Sequence, residues 1–306
     1  MIAGAKQVFR LSAAGLVATI VALMAPAWAS AEDQHLLKQY KVERHLDLNA
    51  GQSIDEHVSC EPGDYALDGM WRVDSVDQDQ TPPLTDDLRS VHFRASYGDG
   101  DNPGKWHFDV TNEAGGRAQL KLFLTCLGSQ TEPNDHRHGI GIGPRLSSPA
   151  SHAGGIAGFN HATTCASGQI AVAPGFKTTS GRVRIRGQYP SGPEVRRWFW
   201  EFDFEGAGSV DLRQRCLGLY TGRYAGHYHK IKRSFRPAFY PGGERLIPPS
   251  SVKEEEVSCD DLAKGMMGAW YIKPGDHPHG WYLGMDPRLK TRAFKFQNTS
   301  TTDNPQ

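Results

Sequence analysis

Large apolar side chains occupy every second position in several short stretches of the chain. The stretch 106–110 alternates Trp, Phe and Val with polar residues, and 120–124 places three leucines at every second position. Because successive side chains of a strand point to opposite faces, this period of two indicates β-strands with one buried face. The segment Glu113–Gly116 lies between the two stretches and predicts a hairpin turn. Since we find no helical periodicity of any length after residue 31, we expect an all-β chain.

The same spaced elements return three times along the chain. Each copy has a cysteine followed eleven residues later by an aromatic residue, with a glycine one or two positions before the aromatic. The pairs are Cys60 with Trp71, Cys165 with Phe176, and Cys259 with Trp270. Self-similarity of this kind indicates one supersecondary plan copied in tandem. We therefore divide the chain after residue 31 into unit A (32–128), unit B (129–222) and unit C (223–306).

Short strands separated by turns are typical of β-sandwiches, and the 34 glycines and 19 prolines agree with many turns. We therefore predict tandem β-sandwich repeats. In unit A, Cys60, Trp71 and Cys126 are spaced in a way that resembles the immunoglobulin fold, which implies an inter-sheet disulfide packed on a buried tryptophan. The tyrosine that this fold carries two residues before its second cysteine is Leu124 in unit A and Gln214 in unit B. The resemblance is therefore one of architecture and implies no function.

The cysteines are predicted to form the framework of the repeat. Each first-strand cysteine is expected to pair with the cysteine in the last strand of its own unit, giving Cys60–Cys126 and Cys165–Cys216. The fifth, Cys259, is then unpaired. A disulfide that closes a loop of about 66 residues contributes about 4 kcal/mol in the chain-entropy model.

Unit C is expected to be incomplete. In unit A, Asn112 precedes Cys126 by fourteen residues, and the matching Asn298 would place a partner for Cys259 beyond Gln306. A sandwich that lacks its closing strand exposes an unpaired sheet edge. We therefore expect unit C to be the least stable unit and a site of self-association. The alternative is an inert, buried Cys259 in a unit whose ends have diverged.

The first 31 residues have the pattern of a signal peptide. Lys6 and Arg10 precede the apolar stretch Leu11–Met24, and Ala29–Ala31 supplies the small residues of a cleavage site. The apolar stretch is short for a transmembrane helix, which needs roughly 20 residues, although an uncleaved anchor is the alternative. No later stretch is apolar enough to span a bilayer. We expect a secreted, periplasmic or cell-surface protein cleaved near Ala31.

The charge balance disfavours two classes of partner. Loss of the first 31 residues removes two of the 34 Lys and Arg residues and none of the 34 Asp and Glu residues, leaving a formal charge of −2. Nucleic acids and anionic membranes select proteins with a clear basic excess. We therefore expect neither as a partner.

Two His-x-His pairs are the strongest candidates for functional residues. His136 and His138 begin ten residues after Cys126, and the pair formed by His227 and His229 begins eleven residues after Cys216. On a strand, residues two apart face the same side, so both imidazoles of a pair can reach one Zn²⁺ or Cu²⁺ ion. Further ligands would come from elsewhere, with Asp135 and His152 as candidates, and a third pair, His277 and His279, lies at a different place in the repeat. The alternative is that these are exposed linker histidines.

Enzymatic signatures are sparse in the sequence. It has no Gly-x-Ser-x-Gly motif, and the expected disulfides leave no free cysteine in units A and B to act as a nucleophile. We therefore expect a non-enzymatic exported protein that binds a protein or glycan ligand, or that serves in adhesion or envelope structure. The alternatives are an exported metal-binding protein that uses the junction histidines, and a hydrolase on a β-scaffold.

Overall fold

The computed structural model of the chain describes residues 35–77, 88–154, 156–190, 195–232, 247–258, 267–272, 280–288 and 291–300. In chain order its strands are β1 (Leu37–Leu48), β2 (Ser53–Ser59), β3 (Tyr65–Ser75), β4 (Val91–Gly98), β5 (Lys105–Asn112), β6 (Ala118–Thr131), β7 (Leu146–His152), β8 (Ile156–Thr164), β9 (Gln169–Pro190), β10 (Arg197–Gly218), β11 (Ser251–Ser258), β12 (Trp270–Tyr271), β13 (Gly280–Asp286) and β14 (Thr291–Asn298). Within these ranges the only helical element is a 3₁₀ turn at Leu88–Ser90. The prediction of an all-β chain is confirmed.

The strands form two antiparallel sheets. Sheet A has the order β1-β6-β3-β13-β14-β11. Sheet B has the order β2-β5-β4-β9-β10-β7, with β8 also pairing with β10 and β12 with β9. Long strands hold sheet B together, since β9 and β10 are each 22 residues long and pair along most of their length.

The three sequence units share these sheets. Sheet A combines three strands of unit A with three strands of unit C, and sheet B combines strands of units A, B and C. The described residues from Leu37 onward belong to a single compact unit. A tandem series of separate immunoglobulin-like sandwiches is therefore not confirmed, since strands of all three sequence units lie in the same two sheets.

The apolar residues of the alternating stretches are buried in the hydrophobic core, as expected. The three apolar side chains of 106–110 and the three leucines of 120–124 are each at most 1% exposed. The aromatic residues of the repeat meet in the same region: the Trp71 ring lies 6.2 Å from Phe176 and 5.7 Å from Tyr282, and Tyr282 stacks on Trp270 at 3.8 Å. Aromatic packing therefore connects strands from all three units.

The glycine that precedes each repeated aromatic is required by close packing. A Cβ atom at Gly69 would lie 2.0 Å from the Trp106 indole, and one at Gly175 would lie 2.6 Å from Cα of Tyr97. Such distances leave no space for a side chain. Gly69 thus leaves room for the Trp106 side chain of the facing sheet, and Gly175 leaves room for the main chain of the neighbouring strand β4.

Both expected disulfides are present. Cys60 pairs with Cys126, joining the residue after β2 of sheet B to β6 of sheet A. Cys165 pairs with Cys216, joining the residue after β8 to β10 within sheet B. Only the first bridge therefore connects the two sheets. Cys259 and the expected signal peptide, residues 1–31, lie outside the described residues.

Candidate metal centre

The two His-x-His pairs lie in two short hairpins. The first His hairpin, residues 129–140, begins with the last three residues of β6, and the second His hairpin, residues 219–231, follows β10. An isolated antiparallel bridge closes each of them. The first carries His136 and His138, and the second carries His227 and His229.

The second histidine of each pair is held by a threonine through the same two hydrogen bonds. The main-chain N–H of His138 donates to the Thr131 hydroxyl at 3.0 Å, and the N–H of Thr131 donates to the His138 carbonyl at 2.9 Å. His229 and Thr221 form the same bonds at 3.0 and 2.9 Å. Both threonines end the sequence Cys-Leu-Gly-x-x-Thr. The His-x-His pattern alone does not reveal these threonines, although this second repeated motif marks them.

Main-chain hydrogen bonds bring the two hairpins side by side. The N–H of Gly222 donates to the Gly139 carbonyl at 2.7 Å, and the N–H of Gly218 donates to the Gly141 carbonyl at 3.1 Å. Residues 139–141 therefore run along 218–222. This pairing explains how histidines that are far apart in the sequence reach one place.

The four histidines converge. Nε2 of His136 lies 2.9 Å from Nε2 of His138 and 3.0 Å from Nε2 of His227. Ring nitrogens of His136, His138 and His229 all lie within 4.8 Å of one another and of a ring nitrogen of His35, a residue that the sequence did not single out.

Hydrogen bonds orient the first pair with Nε2 toward the centre of the cluster. Nδ1 of His138 contacts the Gly222 carbonyl at 3.0 Å, and Nδ1 of His136 contacts the Asp135 carboxylate at 2.6 Å. Carbonyl and carboxylate oxygens accept, so each Nδ1 carries the proton and each Nε2 presents a lone pair when the ring is neutral. Two such lone pairs at 2.9 Å repel each other unless they share a cation, which is either a proton or a metal ion.

Asp135 supports this orientation. Partial desolvation raises the pKa of its carboxyl group, but the Coulombic interaction and hydrogen bonding with His136 outweigh that effect and lower the pKa overall. The carboxyl group is therefore ionised and accepts a hydrogen bond from the Nδ1–H group of His136. Carboxylate–histidine pairs of this kind fix ring orientation at metal sites. Of the two further candidates from the sequence, Asp135 thus orients a histidine through its contact with Nδ1.

The separations fit a metal ion coordinated by imidazoles. Zn²⁺ binds histidine nitrogen at about 2.0–2.1 Å, which places tetrahedral ligands about 3.3 Å apart. The observed Nε2 separations of 2.9 and 3.0 Å are close to this value. The cluster can accept an ion after small side-chain movements.

One side of the cluster is buried and the other faces solvent. His138 is 1% exposed, whereas His227 is an exposed residue. Tyr224 stacks on the His136 ring at 4.6 Å. Three exposed tyrosines belong to the second His hairpin: Tyr220, Tyr224 and Tyr228 are 51%, 49% and 49% exposed. Of these three, Tyr224 borders the histidine cluster, whereas Tyr220 and Tyr228 contact each other.

The remaining histidine candidates from the sequence lie elsewhere. His152 ends β7, where its Nδ1 contacts the Gly154 carbonyl at 2.6 Å and its ring packs 5.9 Å from Phe159. His152 is not part of the cluster, and the structure places His35 there instead. His277 and His279 lie outside the described residues.

Within the ranges that the structure describes, no helix is both long and apolar enough to cross a membrane. Comparison of the chain with protein-family models and with curated proteins finds no match. The functional argument therefore depends on the geometry of the histidine cluster.

Proposed function

We propose that this protein is an exported metal-binding protein in which two His-x-His pairs hold one Zn²⁺ or Cu²⁺ ion. The observation that carries the proposal is that Nε2 of His136 lies 2.9 Å from Nε2 of His138 and 3.0 Å from Nε2 of His227. Neutral imidazole is a preferred ligand of both ions. The disulfides support an oxidising compartment outside the cytosol, as does the expected signal peptide.

The ion would act as a clamp between the two His hairpins. Each hairpin contributes two histidines, and the threonine hydrogen bonds hold His138 and His229 in matching positions. Such a cross-link stabilises the junction between the ends of β6 and β10. Ligands in a preformed site bind metal without a large folding cost, which favours tight binding.

Metal titration tests the proposal directly. Protein purified without a polyhistidine tag is treated with a chelator and titrated calorimetrically with Zn²⁺ or Cu²⁺. We expect one ion per chain, with a Kd below micromolar. His138→Ala and His229→Ala should each weaken binding at least 100-fold, whereas His152→Ala, outside the cluster, should not change it. Absence of binding at micromolar concentration would refute the proposal.

A second candidate function is recognition of a protein or glycan ligand. The exposed tyrosines of the second His hairpin favour it, since exposed aromatic rings with polar ends are enriched at binding surfaces. Tyr220 lies 5.2 Å from Tyr228, and the Arg223 guanidinium lies 5.9 Å from the Tyr228 ring. Glycan-array binding that is lost in Tyr228→Ala and kept in Tyr189→Ala, a tyrosine on β9, would support this function.

A further inference from the structure

A half-open cavity of about 60 Å³ lies between the two sheets, apart from the histidine cluster. It is found where sheet A is weakly joined, because β13 pairs with β3 only through Gly284 and Arg72. Its polar and aromatic lining includes Trp71, Arg89, His92, Arg184, Trp281 and Tyr282. No carboxylate is among its lining residues within the described ranges.

Arg184 is the central cation of this cavity. Its guanidinium lies 3.1 Å above the Trp281 ring and donates to the Gly280 carbonyl. The Arg89 guanidinium lies 5.4 Å from the same ring. Two guanidinium groups thus flank one indole at the cavity wall.

Arg184 differs from its neighbours on β9 in its ion pairing. Arg182 pairs with Glu113 at 2.8 Å, and Arg186 pairs with Asp203. In the part of the chain that the structure describes, no carboxylate lies within ion-pair distance of Arg184. Burial, with contributions from the charges of Arg186 and Arg89, lowers the pKa of Arg184 to about 8, although Asp203 and Glu205 oppose this shift. The Arg184 guanidinium therefore has a carbonyl acceptor and an aromatic face but no direct carboxylate partner within the described residues.

His92 adds an imidazole to the lining, which in its neutral form offers one N–H donor. Burial is the main cause that lowers the pKa of its imidazole, and Arg182 adds to that effect. The remaining lining is aromatic or aliphatic. A concave site with basic groups and apolar walls is complementary to a small anion.

We propose that this cavity binds an oxyanion, with the Arg184 guanidinium as its main partner and Arg89 at its mouth. The planar guanidinium group matches the oxygens of carboxylate and phosphate. The volume suits one small anion or the charged head group of a larger molecule, since the cavity is open on one side. This site is independent of the proposed metal centre.

The test uses sodium phosphate and sodium acetate as probes. Thermal unfolding and tryptophan fluorescence are recorded at constant ionic strength, adjusted with sodium chloride and without added metal. We expect a saturable rise in Tm with at least one probe, together with a fluorescence change from Trp281 and Trp71. Saturation by phosphate alone assigns the site to tetrahedral anions, and saturation by acetate alone assigns it to carboxylates.

Arginine variants locate the effect. Arg184→Gln should weaken the affinity for the probe at least tenfold, and Arg89→Gln, at an exposed position where folding is not at risk, should also weaken it. Arg213→Gln is the matched control, because Arg213 lies 3.9 Å above the Tyr97 ring and pairs with Asp211 at 2.7 Å outside the cavity. Equal affinity in the Arg89 variant and wild-type protein, or a Tm change that does not saturate, would overturn the proposal.

Discussion

Nε2 of His136 lies 3.0 Å from Nε2 of His227, although the two residues are 91 positions apart in the sequence. Each lies in its own His hairpin, so the contact depends on the register between 139–141 and 218–222. A shared metal ion would therefore couple the two hairpins energetically. The energetic coupling between His136 and His227 is therefore a measurable test of the proposed metal cross-link.

The first prediction concerns that coupling. His136→Ala and His227→Ala should each abolish most of the stabilisation that Zn²⁺ gives, and the double variant should lose little more. The reason is that both residues bind the same ion, so their effects are not additive. At a Zn²⁺ concentration 100 times the Kd, binding to the folded state raises the free energy of unfolding by about 2.7 kcal/mol.

Urea unfolding of the four proteins, with Zn²⁺ and with a chelator, measures this cycle. Additive losses in the presence of Zn²⁺ would contradict a shared ion. A coupling that persists unchanged in the chelator would instead assign the interaction to the histidine contact itself.

The second prediction concerns the threonines that hold the histidines. Thr221→Val removes the hydroxyl that accepts from the His229 N–H. We expect metal affinity to fall about tenfold, as for other groups that orient ligands. Thr111→Val serves as control, because that hydroxyl contacts Ser53 on the surface of sheet B at 2.8 Å. Calorimetric titration measures both, and equal affinities in the two variants would show that the Thr221 hydroxyl does not position the site.

The positions of individual strands could be predicted from the sequence more fully than the arrangement of the strands in the two sheets. Alternation at 106–110 and 120–124 predicts buried strand faces because that pattern is a local property. The pairing of β13 with β3 through Gly284 and Arg72 joins distant segments, and periodicity carries no information on such partners. The interleaving of the units was therefore not predictable from the repeat.

The candidate site was predictable in part for the same reason. The four histidines stand at nearly matching positions, with offsets that differ by one residue, after Cys126 and Cys216, and this spacing indicated a common place in the fold. Thr131 and Thr221 also match, five residues after those cysteines, but their role depends on main-chain hydrogen bonds that residue identity does not show. The cavity at Arg184 had no sequence signal beyond the alternating arginines of β9.

The third prediction concerns the disulfide between the sheets. Replacing Cys60 and Cys126 with alanine opens a loop with a sequence separation of 66 residues. We expect the free energy of unfolding to fall by about 4 kcal/mol in the chain-entropy model. The variant with Cys165 and Cys216 replaced is the matched comparison, since that bridge closes a separation of 51 residues within sheet B. Chemical denaturation measures both, and an unchanged midpoint in the first variant would contradict a stabilising role.

The last prediction concerns the pH dependence of stability at Asp99, in the hairpin between β4 and β5. Desolvation raises the pKa of its carboxyl group, but hydrogen bonds from the N–H groups of Asn102 and Asp101 and from His107 outweigh this and lower the pKa to about 2. The carboxyl group is therefore more acidic in the folded than in the unfolded chain. Its contribution is fully present above the unfolded pKa of about 4 and is lost as pH falls through 2.

Asp99→Asn should thus lower the free energy of unfolding by about 2 kcal/mol at pH 7, since one pKa unit corresponds to about 1.4 kcal/mol. The difference from wild-type protein should shrink below about pH 4 and be nearly absent at pH 2. Asp101→Asn is the control, because the Asp101 main-chain N–H, which donates to Asp99 at 2.9 Å, is retained. Urea unfolding from pH 2 to pH 7 gives both curves. A constant difference across that range would show that the charge of Asp99 does not stabilise the hairpin. Wild-type protein would then keep its advantage over Asp99→Asn even after the carboxyl group is protonated.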